Sequence, residues 1–134
     1  MAYIGTVQKI YEALGKGDVP AILSHMSDDV EWEYGGDSTG LPWLQLRRGP
    51  VQVAGFFQDL GAALDVQRFQ PTTFLESANV VVVLIELEFV VRATGRRVVE
   101  EDEVHIFHFD DMGKVRRFRH RMDTYRAWLA SQPL

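Results

Sequence analysis

The chain has 134 residues, 46% hydrophobic and 25% charged, which describes one globular domain and not a disordered tail or a fibrous repeat. Its 14 basic and 19 acidic residues leave a net charge of -5, against a general nucleic-acid binder, which needs a basic face. It has no cysteine, so disulfide frameworks, thiolate zinc sites, iron–sulfur clusters and cysteine nucleophiles are excluded.

The first half reads as helical. Ile4, Val7, Ile10, Tyr11 and Leu14 recur at helical spacing, and Gly15 and Gly17 end that segment. Asp18 is a good N-cap for a second helix that has Pro20 in its first turn and runs to about His25. Residues 30–34, Val-Glu-Trp-Glu-Tyr, alternate as a short strand. Residues 35–49 read as a loop, rich in glycine and containing Asp37, and Pro50 opens a third helix to about Leu64 with Val53, Phe56, Phe57 and Leu60 on its apolar side.

The second half reads as sheet, with strands over 66–76, 80–92, 98–109 and 114–122. Thr94-Gly95 is expected as a two-residue turn and Asp110 to Gly113 as a four-residue one. Asp123 caps a short last helix from Tyr125 to about Ala130. Helices first and a meander after predict an α+β plan, one domain over 1–134. The longest apolar run, residues 80–85, is too short to span a bilayer, and no signal-peptide pattern is seen, so a cytoplasmic protein without a membrane partner is expected.

Pairing Ala93 with Arg96 puts Glu88 opposite Glu101, Glu86 opposite Glu103, and Leu84 opposite His105. Pairing Phe109 with Lys114 puts Glu103 opposite His120 and His105 opposite Phe118. Side chains alternate faces along a strand, so Glu86, Glu88, Glu101, Glu103, His105 and His120 would share one face, framed by Phe107 and Phe118. The other face would carry Val81, Val83, Ile85, Leu87 and Phe89. Composition alone leaves open which face lies under the helices.

The order of pieces Gly17-Asp18, SDDVEWEY, RGPVQVAGFF and HIFHFDDMGKVRRFRHRMD resembles the nuclear transport factor 2-like superfamily, in particular its SnoaL-like group of polyketide cyclases, ketosteroid isomerase and limonene epoxide hydrolase. The resemblance implies a cone-shaped, curved antiparallel sheet with N-terminal helices packed in its concave face, an apolar dead-end pocket, and a homodimer through the convex face. The carboxylate–imidazole patch would then line the pocket and the apolar stripe would be convex. Positions that are catalytic in those relatives fall here on Glu86, Glu88, His120, Trp32, Tyr34 and a place near His105, and none of the three catalytic sets is reproduced.

His120, Glu103, Glu86 and Tyr34 are therefore the expected catalytic groups. A buried carboxylate would raise the His120 imidazole toward neutrality and orient it, Tyr34 would donate to a developing oxyanion, and a protonated glutamate would serve as general acid. Trp32, Trp43, Phe56, Glu88, His105, Phe107 and Phe118 are expected to contact the substrate. Glu101-x-Glu103-x-His105 with His120 has the spacing of a metal set, but His105 and His108 point to opposite faces, so no metal and no cofactor is expected. The reading is a cofactor-free acid–base enzyme of isomerase, cyclase or hydrolase type acting on a small apolar molecule. The alternatives are a non-catalytic binder of a hydrophobic ligand and a protein-interaction module on the same fold.

Overall fold

A computed structural model describes residues 3–34 and 40–133. Gly35, Gly36 and Asp37 of the expected loop lie outside the described residues. The elements are α1 Ile4–Gly15, α2 Val19–Leu23, β1 Met26–Tyr34, β2 Leu46–Arg48, α3 Gly49–Ala63, β3 Leu64–Ser77, β4 Val80–Val91, β5 Arg97–Phe109, β6 Val115–Arg121 and α4 Thr124–Ser131. Asp18 and Asp123 cap α2 and α4 as expected, accepting from the Ala21 and Arg126 amides. Among the described residues no helix is long and apolar enough to cross a membrane.

The six strands form one sheet in the order β2-β1-β6-β5-β4-β3. All neighbours are antiparallel except β1 and β6, which run parallel. Both the short β2, inside the expected loop, and this parallel pair depart from the purely antiparallel meander. A three-residue strand carries too little alternation to be read from sequence.

The helices cover one face of the sheet. The side chains beneath them are the odd positions of β4: Val81, Val83, Ile85 and Phe89 have no exposed surface at all. The apolar stripe is thus the concave core and not a convex interface. The expected register fails in two steps. Residues 92–96 make the connection, so Val90 faces Arg97 where Ala93 had been expected to face Arg96. That slip of two leaves faces unchanged. Then β5 takes an extra residue: Leu87 faces Glu100 but Ile85 faces Glu103, so Glu101 and Asp102 together oppose Glu86. Asp102 sits at φ 48°, the left-handed conformation of a bulge residue. One extra residue flips every side chain beyond it. Val98 and Glu100 are inward before the bulge, and Glu103, His105, Phe107 and Phe109 after it.

Glu86 and Glu88 consequently point out of the other side. Their carboxylates pair with Arg68 and Arg97, each at 2.5 Å, on the outer face. On the same face Arg119 and Arg121 reach Glu33, at 3.8 and 2.7 Å.

Candidate functional site

A cavity of about 460 Å³ opens between the helices and the concave sheet. Ile10, Tyr11 and Leu14 of α1 form one wall, and Phe56, Phe57 and Leu60 of α3 another. Both sets recur at three- and four-residue spacing, so amphipathic periodicity is what brings them to the cavity. The floor is Trp32 and Tyr34 of β1, His105 and Phe107 of β5 and Phe118 of β6. Aromatic and aliphatic residues share the lining about equally: Trp32 stacks on Phe118 with ring centres 4.0 Å apart, and Tyr11 meets Phe107 edge-on at 5.9 Å.

At the closed end lies a polar chain. The Tyr11 hydroxyl and His105 Nδ1 are hydrogen-bonded at 2.8 Å. His105 Nε2 lies 3.8 Å from Glu103 Oε2. Glu103 Oε1 makes a direct hydrogen bond with His120 Nε2 and accepts another from the Tyr34 hydroxyl at 3.3 Å. The His120 ring lies flat on Tyr34, 3.5 Å between centres and 8° between planes. Glu103 and His120 are completely buried, and His105 nearly so.

Burial dominates the electrostatics. It raises the Glu103 carboxyl, a rise that His105 and the Tyr34 hydrogen bond oppose. It lowers His105 to about 3 despite Glu103, and lowers His120 to about 3 with Arg121 adding to the effect. It also raises both tyrosines, Glu103 contributing in each case. Every shift favours the neutral form: the protonated carboxyl, the singly protonated imidazoles and the protonated phenols. His120, expected to be raised by its carboxylate, is lowered instead, by burial and by Arg121.

The expected site thus divides. Tyr34, Trp32, His105, Phe107, Phe118 and Phe56 line the cavity. Glu103 and His120 meet each other as expected, although in strand register His120 faces His105, and both stand behind the lining. Trp43 is buried without lining the cavity. Glu86 and Glu88 are on the outer face, for the reason given by the bulge. Tyr11 was missed: within an apolar helix stripe a tyrosine reads as a wall residue, and only the fold brings its hydroxyl to a histidine 94 positions away. A cation could be held by Glu103, His105 and His120, whose ligand atoms lie within 4.8 Å of one another.

A family model of the SnoaL-like domain matches residues 7–118. The chain belongs to the SnoaL-like family. Its fold is that of the nuclear transport factor 2-like proteins. One of these, of unknown function, from Burkholderia pseudomallei, is 24% identical with TM-score 0.88, over 99% of this chain and 100% of that one. TerC, co-crystallised with polyporic acid, is 26% identical with TM-score 0.80, over 93% of this chain and 94% of that one. A candidate polyketide cyclase from Pseudomonas putida is 17% identical with TM-score 0.79, over 97% and 98% of the two chains. No curated protein matches the sequence. The SnoaL-like family accounts for the sheet and its helical cover.

Proposed function

We propose that this SnoaL-like protein is an acid–base enzyme of isomerase or cyclase type that protonates a carbonyl or enolate oxygen of a small, uncharged, largely aromatic molecule. The observation that carries this reading is the row of groups that leads from the cavity wall to a buried carboxyl: the Tyr11 hydroxyl bonded to His105 Nδ1, and His105 Nε2 facing Glu103 Oε2 across 3.8 Å. In the productive direction the Tyr11 hydroxyl gives its proton to the substrate oxygen. His105 Nδ1–H replaces it, and a small side-chain rotation that closes the 3.8 Å gap lets the Glu103 carboxyl give its proton to His105 Nε2. The net change is one proton moved from Glu103 to substrate, with no charge left on the imidazole. The new Glu103 carboxylate is received by the Tyr34 hydroxyl, already hydrogen-bonded to it. A carbon-bound proton that the activated substrate then releases returns to Glu103 by the same groups and closes the cycle.

The substrate class follows from the walls. Among the described residues no lysine or arginine lines the cavity, so an anionic group would meet no counter-charge there. The volume is within the range of about 300–1,000 Å³ typical of small-molecule pockets. The Trp32 indole Nε1 is buried with no hydrogen-bond partner among the described residues, and an acceptor on the ligand would satisfy it. Polyporic acid, the compound in the TerC crystal, ionises near neutral pH and so tests the exclusion of anions.

Trp32 makes binding measurable by fluorescence. Neutral aromatic ketones should quench it saturably, polyporic acid should do so more weakly at neutral pH than at acid pH, and ketones with an enolisable position should turn over. Tyr11→Phe and Glu103→Gln should each lower turnover by about 10²-fold or more while binding persists. Saturable binding without turnover in any screen would favour a plain ligand carrier, and turnover indifferent to both substitutions would remove the relay. We also propose that two copies associate through the outer sheet face and that the protein works in the cytosol. Leu75, Val82 and Ile106 pair across β3, β4 and β5 on that face, beside Leu84 and Val104.

A further inference from the structure

We infer that Glu103, His105 and His120 also form a binding site for a divalent first-row transition cation such as Zn²⁺ or Co²⁺. Two imidazoles and one carboxylate are the donor set that three-ligand zinc sites use and that the facial sites of non-haem iron use. The three offer ligand atoms within 4.8 Å of one another. Around a tetrahedral cation with bonds of about 2.1 Å, donor atoms stand roughly 3.4 Å apart, so small side-chain rotations close the set.

A second observation points to the same place. Glu103 Oε2 and His105 Nε2 are buried, have no hydrogen-bond partner among the described residues, and face each other across 3.8 Å. That gap is too long for a hydrogen bond and suits two donors flanking one ion. Both side chains are more than nine-tenths buried.

The outer support is partly built. Metal-bound imidazoles usually have their other nitrogen hydrogen-bonded, which sets the tautomer. His105 Nδ1 is bonded to the Tyr11 oxygen, leaving the Nε2 lone pair for the ion. His120 is held by its stack on Tyr34. His105 lines the cavity, so an ion would enter from that side, past its imidazole. Binding would expel the hydrogen shared by Glu103 and His120 and engage the lone pairs that the proton relay uses. An occupied site would therefore switch the relay off. That consequence rests on the proposed acid–base reading, whereas binding itself does not.

The test needs no substrate. Purified full-length protein is stripped with chelator and titrated with Co²⁺, followed by visible d–d absorption, and with Zn²⁺ in competition. One equivalent per chain with a concentration-dependent rise in Tm is expected. Glu103→Gln and His120→Gln should each weaken binding by at least 100-fold. Tyr11→Phe, a positioning change, should weaken it by about 10-fold. His25→Gln and His108→Gln, which remove the other histidines, should leave it unchanged. If a ligand variant fails to fold, NMR of the wild-type histidine rings on adding Zn²⁺ decides, since only His105 and His120 should shift. No Co²⁺ band and no Tm rise, or binding lost in the His25 or His108 variants instead, overturns the site. A protein that turns over ketones yet takes up no Co²⁺ loses this site and keeps the relay.

Discussion

Glu103 sits at zero exposure with partners of three kinds: an imidazole in direct contact, a phenol at 3.3 Å and a second imidazole across a gap. Removing it orphans His120 Nε2 and the Tyr34 hydroxyl together. Each buried group left unsatisfied costs about 1–3 kcal/mol, so Glu103→Ala should destabilise by about 3–5 kcal/mol in denaturant titrations. Glu103→Gln keeps the shape and a donor, and should cost less than half of that. Equal losses for the two would mean that volume and not hydrogen bonding governs the position. Glu100 presents the opposite case. Burial raises its carboxyl, Asp123 adds to the rise, Arg126 opposes it and Glu103 contributes further. A raised carboxyl costs nothing while it is protonated in both folded and unfolded chains. The penalty grows as pH climbs through the folded value. Glu100→Gln should therefore raise Tm near pH 7, with the gain vanishing toward pH 4. A gain independent of pH would point to packing instead. Neither residue could be ranked from sequence: Glu86, Glu88, Glu100, Glu101 and Glu103 are chemically alike, and only the side of the sheet separates a buried acid from an ion-paired surface one.

Strand and helix positions were legible because period and caps are local. The identity of the inward face was not, because it hangs on one residue. Asp102 in the left-handed conformation lets β5 bulge, and without it Glu103 and His105 would fall on the same side as Glu86. A β-branched residue tolerates that conformation poorly, so Asp102→Val should destabilise by about 1–2 kcal/mol while Asp102→Gly stays near neutral in the same assay. If valine is as well tolerated as glycine, the bulge does not depend on this backbone conformation. Helix α1 has its own dependence on a distant group. The Glu76 carboxylate accepts from the Tyr3 amide at 3.0 Å and the Ile4 amide at 3.1 Å, holding the helix start with an anion where the helix dipole favours one. Glu76→Ala should cost about 1–2 kcal/mol and speed hydrogen exchange in the first turn of α1. Since α1 carries Tyr11, the same change should weaken ligand binding without touching the cavity. Unchanged exchange at those amides would show that packing alone seats the helix.

At the scale of the molecule, the outer face of the sheet separates what the single chain satisfies from what it leaves exposed. Its charges are already matched: Glu31 bonds Arg48 at 3.0 Å and Arg117 at 2.8 Å, and Glu33 bonds Arg121 at 2.7 Å. A second copy approaching that face meets paired charges and little net repulsion. Its apolar strip is not satisfied: Leu75 is 55% exposed, and Val82, Leu84, Val104 and Ile106 are only half-buried. Covering a leucine is worth about 1.5–3 kcal/mol, which makes a few such side chains on each copy enough to matter. Light scattering during gel filtration should give twice the 15.3 kDa chain mass, and Leu84→Arg should give the single-chain mass with the fold intact by circular dichroism. Because the attraction comes from apolar area, the dimer should persist as salt is raised; dissociation with salt would assign the contact to ion pairs instead. A clean monomer of the unaltered chain at every concentration would leave the strip as surface alone. Leu84 and Glu103 stand on opposite faces of the sheet, so a monomeric Leu84→Arg variant that still binds ligand would show each chain to hold a complete cavity.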